Sequence, residues 1–415
     1  LKHQPYIVSL DIGSTHVRAV VAKIETTGKL QILGVGSAVS KGVQKGAIVD
    51  IDQAAGSIRQ AIENVERMLG IEITEVYVGV CGNHFCLQES HGVVAVHNED
   101  REIGMHDIER VIQASKVISL PDDKLVVEVL PKQFVVDGTA NIPDPTNMIG
   151  VRLEVDSLIV TGTKTILHNV VRSVERASYR VAGFMFLPLT LGETILTADE
   201  KALGTILVNI GGGTMSITIY HKGHLASHAV LPIGGEHITS DIMHGFQCNR
   251  QTAEELKCKY GVADPDLVPH EESFPIELVN GDAKEIEYTT TDLSMIMHPR
   301  IAEMFYLIRK QVDALGYSSQ PSGGYVLTGG VLATKEILSV AHKHLSNTVR
   351  IAVPDQIGAD DPSFVAGVSM IRYLEARGGY EIPPAEEQPK EIETPKQKKK
   401  SSPFERVKTW LSEFI

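Results

Sequence analysis

The feature that most constrains this chain is a short glycine turn that occurs twice. Near the start, an apolar strand over 6–10 runs into Asp11-Ile12-Gly13-Ser14-Thr15 and on into a second strand over 17–24. In the other half, an apolar strand runs into Asn209-Ile210-Gly211-Gly212-Gly213-Thr214 and again into a strand. A short turn and a third strand follow each time (over 30–35 in the first copy), so both copies read as a β-meander. A repeat at so long a separation implies two related domains facing each other, not a solenoid of short repeats. Each turn joins strand to strand, whereas a Walker loop or a Rossmann fingerprint needs a strand followed by a helix, and both are thereby excluded. A tight strand–turn–strand still aims successive backbone N–H groups into one concavity, and glycine permits positive φ and close approach. Two such hairpins face to face can hold a polyphosphate. Thr15 and Thr214 would add hydroxyl donors, and Asp11 would hold the water shell of Mg²⁺. One hairpin alone reads better as a structural turn; the pair, with a third turn Thr328-Gly329-Gly330, favours the phosphate reading.

The rest of the chain divides around these turns. A helix over 51–69 is capped by Asp50 or Asp52, buries Ile51, Ala55, Ile58, Ile62, Val65 and Leu69, and ends at Gly70. A different unit, 83–165, reads as an inserted α+β subdomain: a strand over 92–96, a helix over 106–118, and strands over 124–137 and 151–161. The first domain covers 1–82, resumes over 166–195 with a helix over 164–178 at its start, and regains a packing segment at 357–378. The second domain covers 196–356 and includes a helical, irregular subdomain at about 236–315. Within that, Glu254 and Lys257 stand at i and i+3 on one helical face, which by itself reads as a surface ion pair.

Past Gly378 the stretch 379–403 is rich in Pro, Glu and Lys and reads as a disordered linker. It leads to 404–415, where the only tryptophan of the chain, Trp410, joins Phe404, Val407, Leu411, Phe414 and Ile415 on one helical stripe. With Lys398, Lys399 and Lys400 beside it, this predicts an amphipathic helix lying on a membrane surface. No apolar run reaches the roughly 18 residues of a membrane span, and the start shows no secretory signal. Net charge −13 argues against general nucleic-acid binding. Cys81, Cys86, Cys248 and Cys258 lack zinc-site spacing and read as reduced, inert thiols, which suits the cytoplasm.

In this order, LDIGST, VNIGGGT, GGEHIT, AEELK and VLTGG resemble the two phosphate motifs, the adenosine motif and the connecting segments of the actin and Hsp-type ATPase superfamily. Within it the chain is similar to the FtsA family of bacterial division proteins. KGAIVDID, PKQFVVDG, GVRLEV, VTGTKTILHN, the insert early in the first half and the terminal helix carry that likeness, which covers almost the whole chain except the linker. The resemblance implies an α/β, actin-like two-domain fold whose inserted α+β subdomain replaces the usual one and sits elsewhere on the molecule. It implies ATP and Mg²⁺ in the cleft, head-to-tail self-polymers on the cytoplasmic face of the membrane at the division site, binding of the C-terminal tail of the tubulin-like FtsZ, and contacts with later division proteins.

Carried over by motif, Gly13, Ser14, Thr15, Gly212, Gly213 and Thr214 contact phosphates, with Asp11, Asn209 and Gly211 beside them. Glu254 and Lys257 reach the ribose and base, Gly329 and Gly330 line the adenosine, and Gly234, Gly235 and Glu236 lie at the cleft. Arg300, in HPRIAEMF, matches a basic position associated with the FtsZ tail, though the bare residue reads equally as a surface arginine. Two departures predict slow or no hydrolysis: Asn209 stands where the superfamily usually has Asp, and Leu187 where relatives often have Glu or Gln. A sugar kinase would need a catalytic Asp and a sugar pocket that the sequence does not offer, and a chaperone a substrate-binding β-domain. A pilus-assembly relative of the same fold remains an alternative.

Overall fold

The computed structural model describes residues 6–24, 30–98, 100–118, 120–277, 285–317, 322–346, 348–352 and 361–377. Its frame is one sheet used twice. The first half orders its strands Arg180–Phe186, Glu75–Val80, Ile7–Ile12, His16–Ile24, Leu30–Val39; the second orders them Val349–Ile351, Tyr325–Thr328, Thr205–Ile210, Met215–His221, His224–Leu231. In each, three strands joined by hairpins run antiparallel and two later strands add in parallel beside the first. Parallel strands must be covered on both faces. The first strand of each sheet accordingly buries Val8, Ser9 and Leu10, or Ile206, Leu207 and Val208, in unbroken runs.

The helix Ile51–Leu69 closes one face of the first sheet with Ala55, Ile58, Ile62 and Val65. Asp50 is the cap: its carboxylate accepts from the Gln53 amide at 3.0 Å, and Gly70 ends the helix at φ 65°. The helix Gly235–Phe246 holds the equivalent place in the second half, with Ile238, Ile242 and Phe246 inward.

Two further helices exchange places. Leu187–Ile195 continues from the last strand of the first sheet but packs on the second sheet; Val365–Ala376 follows the last strand of the second sheet but packs on the first. They also pack on each other, and Leu187, Leu191, Tyr220, Val326, Val365 and Met370 belong to one core common to both halves. Glycine permits each crossing. A Cβ at Gly192 would fall 2.0 Å from the Tyr220 Oη, and one at Gly367 2.5 Å from Val20 Cγ2. The Ser9 hydroxyl donates to the Gly367 carbonyl at 2.9 Å.

The insert is a four-stranded sheet ordered Phe85–Ala95, Arg152–Thr163, Lys124–Val136, Thr139–Ile142. The helix Met105–Ser115 lies across it and packs Val111 onto Phe134, Leu153 and Val155. Its first strand starts at Phe85, earlier than the expected residue 92, because Cys86, Gln88 and Glu89 are edge positions open to solvent that carry no apolar signal. The helix stops at Ser115 rather than 118, leaving Val117 85% exposed. The third strand of the first sheet runs on to Val39 through the small residues Gly34, Gly36 and Ala38, which a search for β-branched residues passes over.

The region expected to be helical up to about 315 holds the helices Gly235–Phe246, Arg250–Tyr260 and Thr290–Ala314. It also holds a hairpin, Ser273–Glu277 with Glu285–Thr289, that the sequence did not announce. Pro275 sits in that hairpin, tolerated because a two-stranded sheet is all edge. Among the described residues no helix is long and apolar enough to cross a membrane. The stretch 379–403 and the stripe Phe404, Val407, Trp410, Leu411, Phe414 and Ile415 lie outside the described residues.

Candidate functional site

The two glycine hairpins meet at the centre of the molecule. Ile12 pairs with Val17 and Ile210 with Met215, which makes Ser14 equivalent to Gly212, Thr15 to Gly213, and His16 to Thr214. Thr15 and Thr214 are thus not counterparts, as the bare motifs suggest. Each tip closes in the same way, Gly13 N–H donating to the His16 carbonyl at 3.1 Å and Gly211 N–H to the Thr214 carbonyl at 2.9 Å. The next two amides of each tip, those of Ser14, Thr15, Gly212 and Gly213, donate to no described backbone carbonyl. Four N–H groups on two facing turns are left free for an anion.

The tips touch. A Cβ on Gly212 would stand 2.2 Å from Thr15 Cγ2, and one on Gly213 2.6 Å from the Ser14 hydroxyl. Between and beneath them is a cleft of about 130 Å³, below the roughly 300–1,000 Å³ of small-molecule pockets. Its walls include Asp11, Gly13, Ser14, Thr15, Asn209, Gly211, Gly212, Gly213, Thr214, Gly329 and Gly330. Gly329 needs its φ of 106° and its missing Cβ, since a Cβ would meet the Ile210 carbonyl at 2.4 Å and Asn209 Oδ1 at 2.6 Å. A ligand of nucleotide size would fit this cleft only with the two halves further apart.

Gly234, Gly235 and Glu236 stand behind the second tip. The amides of Gly235 and Glu236 donate to the Gly211 and Gly212 carbonyls at 3.0 and 2.8 Å, so the start of the helix Gly235–Phe246 anchors the hairpin. Glu254 and Lys257 are more than a surface pair. Lys257 Nζ lies 2.6 Å from Glu254 Oε2 and donates to the Thr239 hydroxyl oxygen at 2.9 Å, with 13% of its side chain exposed. Burial would raise the Glu254 carboxyl; the Lys257 charge and the Thr239 hydroxyl outweigh it and hold the group below the usual carboxylate range. Burial, with the charges of Arg18 and Lys257, lowers the pKa of His16, while Glu254 and Asp361 oppose the shift.

Several cleft residues escaped sequence reasoning, Arg18 foremost. It lies directly across the hairpin from Asp11, with its guanidinium 5.8 Å from the centre of the Phe364 ring. Burial raises the Asp11 carboxyl and Arg18 opposes that; burial lowers the Arg18 guanidinium and Asp11 and Asp361 oppose it. Counting back from the turn gives the Asp11–Arg18 register, so the signal was present. Cys81, Ser216 and Ser363 also line the cleft. Cys81 lies 4.0 Å from His228 Nε2, and burial pushes its thiol up to about 12, an inert group. Among the described residues no cluster of three or more metal-ligating side chains occurs. Asp11 thus stands as a single carboxylate, which fits a Mg²⁺ that keeps its waters and bonds mainly to phosphate.

Arg300 lies apart from the cleft, on the helix Thr290–Ala314. Its guanidinium donates twice to Asp241, at 2.6 and 2.9 Å, and contacts Glu303.

Two pseudo-equivalent halves, each with a glycine hairpin at a shared cleft and each lending a helix to the other, define an actin-like protein. Solved structures agree on that fold. A PilM–PilN type IV pilus biogenesis complex matches with TM-score 0.61 at 13% identity, over 90% of this chain and 99% of that one. MreB5 of Spiroplasma citri bound to ADP matches with TM-score 0.52 at 12% identity, over 91% and 99%. The chain belongs to the FtsA family of cell division proteins. It is 41% identical to the FtsA of Bacillus subtilis over 88% of this chain and 82% of that protein, and 30% identical to the FtsA of Escherichia coli over 88% and 90%. The model of the cell division protein FtsA matches residues 206–369, and that of the SHS2 domain inserted in FtsA matches 82–161, the observed insert.

Proposed function

We propose that this chain binds ATP with Mg²⁺ between its two halves, polymerises on the cytoplasmic face of the membrane, and tethers FtsZ filaments there through residues 404–415. The observation that carries the nucleotide part is the set of four free amides on the facing tips, Ser14 and Thr15 against Gly212 and Gly213. They would hold the phosphates, with Asp11 and Arg18 below. Glu254 and Lys257 would face the ribose and base, Gly329 and Gly330 the adenosine. Mg²⁺ would supply charge neutralisation between phosphate oxygens. Nucleotide would then act mainly as a structural ligand that sets the cleft and favours the polymer. The FtsZ tail would dock on the surface that Arg300 organises. A partner carboxylate there exchanges with Glu303, the more exposed of the two acids, while Asp241 keeps the fork in place.

The test is titration of the full chain with fluorescent ATP and Mg²⁺. Gly212→Val puts a side chain where Thr15 already stands and should abolish binding with the fold retained by circular dichroism. Equal affinity in wild type and variant would reject the cleft as the site.

A further inference from the structure

Three side chains tie the insert to the far end of the last helix. Glu128, on the insert strand Lys124–Val136, has only 11% of its side chain exposed. The Tyr373 hydroxyl donates to its Oε1 at 2.5 Å, and Arg377 Nη1 donates to the same oxygen at 3.1 Å. The Arg377 guanidinium also lies over the Tyr373 ring, 4.6 Å from its centre. An acid held this way is costly to unpair, since truncation leaves a buried hydroxyl and a charge without partners.

Both tied elements begin at the cleft. Val365 and Ala366 of the helix Val365–Ala376 line it, and Tyr373 and Arg377 follow about 10–17 Å further along the axis. The insert leaves the cleft wall through Cys81 and Phe85, which also line it. The cleft, helix, clasp and insert thus form a closed ring of rigid parts with Glu128 as the tie. The same helix packs against Leu187–Ile195, which lies on the second half's sheet. Separation of the touching tips therefore loads the helix and, through Glu128, the insert.

We infer that Glu128, Tyr373 and Arg377 form a clasp that makes the last helix and the insert one lever, so that opening of the cleft and displacement of the insert are a single motion. These are positioning residues, remote from any ligand. The inference needs no nucleotide and stands or falls separately from the ATP reading.

The test uses paired spin labels in the full chain without nucleotide, with exposed Cys86 and Cys258 changed to serine. One pair, at Val117 and Leu203, reports the insert against the second half; the other, at Val49 and Met295, spans the cleft, and all four positions are well exposed. Gly212→Val, which sets a side chain against Thr15 and wedges the tips apart, should shift both distance distributions together; with Glu128→Ala added, the cleft pair should still shift while the insert pair no longer follows it. Glu128→Gln, which keeps the hydrogen-bonding shape, should restore part of the joint shift. Adding Arg377→Gln to Glu128→Ala should change little more, because both act through one contact. If Glu128→Ala is too unstable to label, Tyr373→Phe, which removes only a hydroxyl, should likewise reduce the shift of the insert pair that accompanies a wedged cleft. An insert pair that stays unchanged when the wedge opens the cleft of the otherwise intact chain, or one that follows the cleft equally well in Glu128→Ala, would overturn the clasp as a coupling device and leave it a local contact.

Discussion

Asn209 is the residue on which the expectation of slow turnover rests. It pairs across the sheet with Ser216 and Thr328 at the cleft, in the place equivalent to Asp11 of the first hairpin. Hydrolysis asks for a group that orients or deprotonates water, and an amide offers neither negative charge nor a basic site. Leu187, 6% exposed and part of the same wall, offers none either. Single-turnover assays with Mg²⁺ should show slow or no hydrolysis in the wild type and a gain in Asn209→Asp; brisk wild-type turnover, or no gain, counts against this account. A second residue, His228, should set the acid limit of the fold. Its ring stands edge-on to Phe186 at 5.2 Å, 3.3 Å from the Thr218 hydroxyl, and burial lowers its pKa from 6.5 to about 4. The unfolded chain takes up this proton below pH 6.5 and the folded chain only near pH 4. Stability from this group is therefore whole above pH 6.5 and falls as pH drops from 6.5 to 4, by at most about 3 kcal/mol and less where the half-buried ring meets water. Denaturant titrations across that window should flatten in His228→Gln; an unchanged slope would put the acid sensitivity elsewhere. Asn209 was legible in the sequence because it interrupts a motif. His228 was not, because a histidine in an ordinary edge strand carries no mark of what lies across the domain boundary.

Among the elements, the exchanged helices decide how firmly the halves are joined. Gly192→Ala drives a methyl into the Tyr220 ring, whose Cζ stands 2.2 Å from the position of the new Cβ. Overpacking of this kind costs about 1–3 kcal/mol, so the melting temperature should drop. Gly56→Ala, where a Cβ meets nothing within 4 Å, should be neutral or stabilising in the same assay. Arg300→Glu should weaken the FtsZ tail, but the structure adds a cost: it sets a third carboxylate against Asp241 and Glu303 and removes charge-assisted bonds worth roughly 1.5–3 kcal/mol. Binding of an FtsZ C-terminal peptide should therefore be compared with a melting curve, and Glu303→Gln, which leaves the Asp241 fork intact, is the cleaner probe. The hairpins, the helix Ile51–Leu69 and the insert were legible because turn glycines, a 3.6-residue stripe and a composition break are local signals. The exchange of helices was not, since nothing local in LPLTLGETI says that Gly192 meets Tyr220. The hairpin Ser273–Glu277/Glu285–Thr289 was lost for a related reason: its strands are short, hold a proline and gain their apolar faces, Phe274 and Ile276, only against Phe246 and Tyr260.

At the scale of the whole molecule, the proposed tether sets a weak anchor against a large assembly. A helix as short as 404–415 would be marginal in water by itself. An interface would stabilise it by burying Phe404, Trp410 and Phe414, with Trp410 near the headgroups. Lys398, Lys399 and Lys400 would each add about 1 kcal/mol on anionic lipid. Replacing all three by glutamine should therefore weaken binding to anionic vesicles by roughly a hundredfold and leave binding to neutral vesicles unchanged. Deleting 403–415 should abolish vesicle binding while the melting curve of the described domains stays the same. One such helix would dissociate readily; many on one filament would act together, and avidity would multiply their hold without any new contact. Vesicle binding should thus rise steeply with protein concentration as polymers form and stay shallow in a variant that cannot polymerise. The decisive comparison is sedimentation with vesicles at matched concentrations of the two. Equal binding by the monomeric variant would mean that each helix anchors alone, and that the polymer serves FtsZ rather than the membrane.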